Sequence, residues 1–464
     1  MEENLWNLIN GRYPQTHSFI SYRKEKEGGF VFNPHLYNEK WINDLYYTII
    51  DLSDGTRTVS NIIDYMSKNF ALAESESKNL FYNLLLENQS YFILDLKKNK
   101  KNNDQAILNS QFKKNNDFQG DYYSAPISIL WDITYRCNMK CSHCLIDEKS
   151  GTDEMKLEDI KKILFELKKF HVFIINFSGG EPLVRTDFLD ILKATSELNF
   201  GIRLSTNGLL ITEKLLEKFV DLDVFCIQFS LDGIGDTHDN FRGMKNAYNK
   251  TIEAIQLAVE KGFYITISTM ITSQTINEIP DIINLAVKMG VSSLKFNTFM
   301  PVGRGKKNKD IFVVSKKRLK ELALELSKIK KKNERKIDLQ IDAVYPWLIN
   351  SQNIPQNNPN FIEISPKIKC SAAQTNLVIS PNGTVYPCPY LSDFPLGNVL
   401  NTPINEIWNN NDGILGTFRN QTQSNLKGKC NNCHHVPEKC IGGCRAAAYI
   451  ETGDLLEEDP FCWK

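Results

Sequence analysis

The sequence predicts an α/β protein: a partial barrel of six β/α units, a winged-helix-like domain before it and a cysteine-rich domain after it. Three observations carry that expectation. Between residues 126 and 301, short apolar runs alternate with amphipathic stretches of helical period, the pattern of parallel strands joined by helices. The polar motifs of that stretch fall at the carboxyl ends of apolar runs, where β/α folds gather their reactive groups. The 11 cysteines are bunched: none precedes Cys137, three fall within eight residues, Cys226 stands alone, and seven occupy the last 95 residues.

Residues 1–96 form the first domain. "GGFVFNP" (28–34) predicts a strand, and residues 41–70 predict two helices broken by a turn at Asp54–Gly55. Thr58 suits the cap of the second, with Ile62, Ile63 and Met66 on one face. "SESKNLFYNLLLEN" (75–88) predicts a third helix and "SYFILDL" (90–96) a closing strand. Residues 97–122, rich in Lys, Asn and Gln, read as a solvated linker. The barrel is expected over 123–310, its strands being "PISILWDIT", "HVFIINF", "GIRLSTNG", "VFCIQFS", "YITISTMIT" and "SLKFNTFMP". A Lys-rich helix (315–332) and an Asn/Pro loop (345–367) make a bridge over 311–369, and the cysteine-dense domain follows over 370–464.

Bulk properties narrow the function. Lys+Arg and Asp+Glu both number 55, so net charge gives no reason to expect a nucleic acid or a membrane surface as partner. No apolar run approaches the roughly 20 residues of a membrane helix. "MEENLWNLINGRYPQ" lacks the charged and apolar regions of a signal peptide. A cytoplasmic protein is expected, and its cysteines then need a purpose other than disulfides. Cys226, inside an apolar strand, reads as a small buried hydrophobe.

Cys137, Cys141 and Cys144 lie in "TYRCNMKCSHC" with gaps of three and two residues. Three thiolates on one loop can hold three irons of a 4Fe–4S cluster and leave the fourth iron open. A zinc site wants four closed ligands, for which His143 is awkwardly wedged, and a redox dithiol needs only two cysteines. This CxxxCxxC, following a first strand, resembles the radical S-adenosylmethionine (SAM) superfamily. The resemblance implies that SAM chelates the open iron and that its reductive cleavage gives a 5′-deoxyadenosyl radical. It makes Cys137, Cys141 and Cys144 the catalytic cluster ligands. "SGGEPL" (178–183) then implies contacts from Gly179, Gly180 and Glu181 to the SAM amino group. "STNG" and "SLDG" imply that Ser205, Asn207, Ser230 and Asp232 line its ribose and methionine parts. "THDNFRG" implies Arg242 against its carboxylate, for which a guanidinium is a bidentate donor.

The spacing Cys370-x12-Gly383-x4-Cys388, then Cys430, Cys433, Cys440, Cys444 and Cys462, is similar to the SPASM extension of such enzymes. Six residues between Cys433 and Cys440 exceed the usual five. The resemblance implies two auxiliary 4Fe–4S clusters, three in all. Cys370, Cys388 and Cys444 would serve the first, and Cys430, Cys433, Cys440 and Cys462 the second. "PNFIEISPKIKC" supplies no eighth cysteine, so the first auxiliary cluster is expected to have a non-cysteine ligand or an open iron. A zinc ribbon is the competing reading of these spacings.

The first domain resembles the PqqD-like RiPP recognition element, which binds leader peptides by adding a strand to a sheet. A DNA-binding winged helix is disfavoured, because "TVSNIIDYMSKNF" carries a single Lys. Together these resemblances imply an enzyme that modifies a ribosomally made precursor peptide. Cysteine thioether formation of the sactipeptide or ranthipeptide type is the leading expectation, with flavodoxin or ferredoxin as reductant. Carbon–carbon crosslinking, epimerisation and formylglycine formation are the rivals within the family. A non-catalytic, metal-stapled binding protein is the rival outside it.

Overall fold

The computed structural model describes residues 2–17, 20–26, 28–33, 38–87, 92–95, 122–147, 153–341, 370–436 and 440–464. It divides into a first unit ending at Ser124 and a second beginning at Ala125. In the first, β1 (Tyr13–Thr16) is followed by an antiparallel meander of β2 (Ser21–Glu25), β3 (Gly28–Asn33) and β4 (Asn38–Ile42), and β5 (Phe92–Asp95) returns to pair with β1. Helices Asp44–Leu52, Val59–Asn69 and Glu74–Glu87 bury Ile49, Ile50, Ile62, Ile63, Met66 and Phe81 in one core with Val31 of β3. Thr58 caps as expected: its hydroxyl accepts from the Asn61 amide at 3.2 Å, and the Asn61 side chain accepts from the Thr58 amide at 3.3 Å.

The single strand expected at 28–34 is the middle of three. Its neighbours "SYRKE" and "NEKWI" carry charges that no apolar-run reading selects; in the first, Arg23 and Glu25 are buried as an ion pair at 2.7 Å. The helix Glu2–Ile9 was likewise not expected. The linker expected over 97–122 lies outside the described residues but for Tyr122, and the loop expected over 345–367 lies outside them entirely.

In the second unit β6 (Ser128–Thr134), β7 (Ile174–Gly179), β8 (Gly201–Thr206), β9 (Val224–Ser230), β10 (Tyr264–Ile271), β11 (Ser293–Thr298) and β12 (Asp338–Gln340) pair in parallel, each beside the next. The sheet does not stop at β6. Its other edge pairs in parallel with β13 (Asn376–Ile379), which continues antiparallel into β14 (Thr384–Tyr386) and β15 (Gly397–Asn398). The expected six barrel strands are therefore part of a ten-stranded open sheet. Both additions escaped the sequence for one reason: β12 has 3 residues and β13 has 4, too few to show a period.

Alternation sorts the faces of the six long strands. Ile129, Trp131, Ile175, Phe177, Ile202, Leu204, Ile227, Phe229, Ile265, Ile267, Leu294 and Phe296 are buried on the helix side. The concave face carries Asp132, Ser178, Arg203, Ser205, Gln228, Ser230, Ser268, Lys295 and Asn297 in their place. A closed barrel fills its interior with branched apolar side chains; this lumen mixes those polar groups with apolar ones such as Cys226 and Met270. The bridging helix is Lys316–Asn333, capped by Ser315, which accepts from the Arg318 amide at 3.3 Å. Among the described residues no helix is long and apolar enough to cross a membrane.

Candidate active site

The loop that carries the cysteine triad leaves the end of β6 and is tied down from several sides. At its base Arg136 makes a bidentate ion pair with Glu154 at 2.9 and 3.0 Å, and the Thr134 hydroxyl donates to the same carboxylate. Its carbonyls are taken by the segment after β11: Arg304 Nη1 donates to Cys141 O at 3.1 Å, Asn308 Nδ2 to Ser142 O at 2.8 Å, and the Gly305 amide to Cys144 O at 3.1 Å. The Ser142 amide and hydroxyl both donate to Phe241 O, at 3.2 and 3.0 Å. Cys137 is exposed, Cys144 intermediate and Cys141 buried.

All three cysteines border a cavity of about 220 Å³, and Gly179, Gly180, Ser205, Asn207, Ser230, Asp232 and Arg242 border it too. The expected residues are therefore gathered at one place, with two changes of partner. Glu181 stands behind the wall. It is fully buried, accepting from the Asn207 amide at 2.8 Å, the Thr206 hydroxyl at 2.9 Å and the Leu183 amide at 3.2 Å. Burial, partly opposed by those donors, pushes its carboxyl up to about 7. Arg242 is ion-paired with buried Asp232 and directs Nη1 at Cys141 Sγ, 3.8 Å away. Asp232 in turn accepts from the Met270 amide at 2.6 Å, so its carboxylate anchors Arg242 as well as bordering the cavity.

The glycines of "SGGE" have a reason the sequence did not show. Gly180 N donates to Thr134 O at 2.7 Å and Glu181 N to Arg136 O at 2.9 Å. A Cβ on Gly179 would stand 2.1 Å from Thr134 O, and one on Gly180 2.2 Å from Arg136 O. They let the end of β7 close onto the base of the cysteine loop.

Of the site's other residues, the sequence singled out only His143, and that as an awkward fourth ligand to zinc. His238 Nδ1 accepts from the Asp232 amide at 3.1 Å, and burial together with Arg242 lowers it to about 3, so it is a neutral positioning group. His143 lies flat on Phe241, ring centroids 4.1 Å apart, and burial keeps it neutral as well. Arg304 sits in a "GRG" after a strand, readable as a turn but not as a clamp. Tyr390, from the cysteine-dense domain, borders the same cavity.

Asp132 faces the lumen from β6, and burial alone pushes its carboxyl up to about 7. The folded state thus disfavours the charged form, and the group's contribution is complete below the unfolded carboxylate range and lost as pH rises through 7. Asp132→Asn is expected to melt higher than the parent at pH 8, by up to about 4 kcal/mol, and no higher at pH 4. Melting curves at both pH values check this, and equal shifts at both would contradict it.

In the last domain the cysteines separate into the two expected sets. Cys370, Cys388 and Cys444 share one apolar cluster with Ala373, Leu415 and Phe418. Cys430, Cys433 and Cys440 share another with Leu426 and Val436, and Cys462 is close enough to raise the Cys430 and Cys440 thiols. Arg445 stands between the sets. Burial pushes the Cys370 and Cys430 thiols up, and Arg445 opposes it at both. Its guanidinium donates to Leu455 O at 3.1 Å, Glu457 O at 2.9 Å and also to Gly442 O. Cys226 is buried on the lumen side of β9, its Sγ 3.8 Å from Thr266 Oγ1.

The arrangement suits iron–sulfur clusters. Burial pushes the Cys144 thiol up, opposed by the Ile146 amide, and bound iron would supply the positive charge a thiolate requires.

Comparison with known proteins agrees. The Radical SAM superfamily model matches residues 131–286, and the SPASM model, an iron–sulfur cluster-binding domain, matches 370–434. An AdoMet-dependent heme synthase of Methanosarcina barkeri is 32% identical over 351 residues, covering 73% of this chain and 97% of its own. Mycofactocin maturase MftC of Mycobacterium tuberculosis is 28% identical over 353 residues, 73% of this chain and 83% of its own. The crystal structure of Streptococcus suis SuiB bound to precursor peptide SuiA shares the fold with TM-score 0.71 and 18% identity, covering 97% of this chain and 100% of that one.

Proposed function

The chain belongs to the radical SAM superfamily with a SPASM domain, and from that premise we propose that it modifies a ribosomally made precursor peptide by forming cysteine thioethers. The observation that carries the peptide part of the reading is the first unit. The thioether part rests on the missing eighth cysteine before Cys370, since an iron left open could take a substrate thiolate. The heme synthase and MftC likenesses each span 73% of this chain, whereas the SuiB fold spans 97% of it. A meander with two edge strands, β2 and β4, can take up an extended leader as a further strand. Tethering the leader raises the local concentration of the segment to be modified.

Each residue then has a role. Cys137, Cys141 and Cys144 hold the reactive 4Fe–4S cluster. Gly179, Gly180, Ser205, Asn207 and Ser230 bound the SAM site, with Arg242 against its carboxylate and Glu181 and Asp232 as positioning groups. Cys370, Cys388 and Cys444 hold the first auxiliary cluster, and Cys430, Cys433, Cys440 and Cys462 the second. The bound groups supply one-electron reduction of SAM and abstraction of a hydrogen atom from carbon. Forming the carbon–sulfur bond takes that hydrogen atom and the thiol proton from the peptide. One surplus electron leaves, for which the auxiliary clusters are the acceptors. A flavodoxin or ferredoxin in the cytoplasm is the proposed electron donor.

The test is anaerobic loading with iron and sulfide, then incubation with SAM, reductant and any short cysteine-containing peptide found among the reading frames neighbouring this one. The expected results are 5′-deoxyadenosine and a peptide lighter by two hydrogens with a sulfur–carbon crosslink. A crosslink without sulfur would sink the thioether reading. A zinc-loaded, colourless protein would sink the enzyme reading, and turnover of a tetrapyrrole with no peptide product would move the function towards the heme synthases.

A further inference from the structure

We propose that Arg304 is a positioning residue for electron entry: its guanidinium, held against the cysteine loop beside the SAM cavity, makes the loop cluster easier to reduce. The inference rests on the reading of Cys137, Cys141 and Cys144 as ligands of a 4Fe–4S cluster.

Geometry places the charge. Arg304 lies in the segment Gly303–Asn308 that follows β11, and it borders the same cavity as the three cysteines. Its Nη1 donates to Cys141 O at 3.1 Å, so the cation is anchored on the backbone of one cluster ligand. The same segment is pinned to two more loop carbonyls, by the Gly305 amide on Cys144 O and Asn308 Nδ2 on Ser142 O. A Cβ on Gly303 would stand 2.1 Å from Leu145 O, and one on Gly305 2.9 Å from His143 O. The glycines on either side therefore let the arginine lie flat on the loop.

Holding the loop does not by itself call for a charge, since the neutral amide of Asn308 holds Ser142 O at 2.8 Å. Reduction does call for one. One electron passes from a low-potential carrier to the cluster, with no proton and no bond change, and leaves the loop more negative by one charge. A cation fixed nearby favours that state, because local charge and hydrogen bonds set a cluster's potential. The other charged groups around the loop are matched or muted. Arg242 directs Nη1 at Cys141 Sγ but is ion-paired with Asp232, and Arg136 at the base is paired with Glu154. His143 and His238 are neutral through burial, and Glu181 is pushed up to about 7. At Cys144, Arg304 opposes the effect of burial more than Arg242 does.

The test is a redox titration of the cluster-loaded full chain without SAM, poised with titanium(III) citrate and followed by electron paramagnetic resonance. The loop cluster is the signal that Cys141→Ala lacks. Arg304→Gln keeps a hydrogen-bond donor and loses the charge. At the parent's midpoint its ratio of reduced to oxidised loop cluster should fall about tenfold, a midpoint about 59 mV lower. Arg304→Met should fall as far, and Arg304→Lys, which keeps the charge, should stay within about threefold of the parent. Iron content and melting temperature report that the variants are loaded and folded. A parent-like midpoint in Arg304→Gln, or a fall in Arg304→Lys as large as in Arg304→Gln, would overturn the proposal. A parent chain that takes up no iron at the loop would instead overturn the reading on which it rests.

Discussion

Cys141→Ala is expected to end reductive cleavage of SAM, with 5′-deoxyadenosine falling by at least about a thousandfold, while the protein stays folded. Cys141 is the buried member of the triad and its sulfur takes the Arg242 Nη1 contact. Without it the loop retains two thiolates, too few for a site-differentiated cluster. The loop itself should survive, because Arg304, Asn308 and Gly305 hold backbone carbonyls and not the thiol. Iron should fall by about one cluster in three, and the auxiliary signals should persist in electron paramagnetic resonance. Cys226→Ala, the control cysteine, should keep its full iron. Near-normal 5′-deoxyadenosine from Cys141→Ala would remove the triad from the mechanism.

Arg445→Met should have the opposite profile. Three carbonyls lose their donor, that of Gly442 buried and those of Leu455 and Glu457 part-buried. A buried orphaned acceptor costs about 1–3 kcal/mol, so a loss of about that size is expected. The positive charge that opposes burial at both Cys370 and Cys430 goes too. The variant should therefore bind the loop cluster and lose iron from both auxiliary sets. Iron analysis with Mössbauer spectroscopy, together with melting temperature, reads this out. Full auxiliary iron in Arg445→Met would show that the guanidinium is not what holds the two sets together.

Much of this was legible before any fold was known. The Cys137–Cys144 spacing rests on residue types whose chemistry shows in one dimension. The roles of the motifs ending β7, β8 and β9, and the separation of the later cysteines into two sets, came from the family resemblance. What stayed hidden were partnerships made across the fold. Glu181 reads as a ligand of SAM until its three donors, Asn207, Thr206 and Leu183, are seen. His238 and Arg304 act through the Asp232 amide and the Cys141 carbonyl, and no spacing encodes such contacts. β2 and β4 were hidden by their charges, and β12 and β13 by their brevity.

The pairing of β6 with β13 has a consequence for biosynthesis. Ser128 Oγ meets Asn376 Oδ1 at 2.6 Å across 248 residues of chain. Until the segment containing Asn376–Ile379 leaves the ribosome, the strand leading into the cysteine triad has a bare edge, open to pairing with another chain. At usual rates of synthesis that interval lasts roughly 10–50 s. A protein shortened before Asn376 would keep every residue of the triad and its SAM cavity except Tyr390, yet carry that edge permanently. Such a truncation should aggregate, so the radical-forming half and the auxiliary-cluster half are obliged to mature as one object.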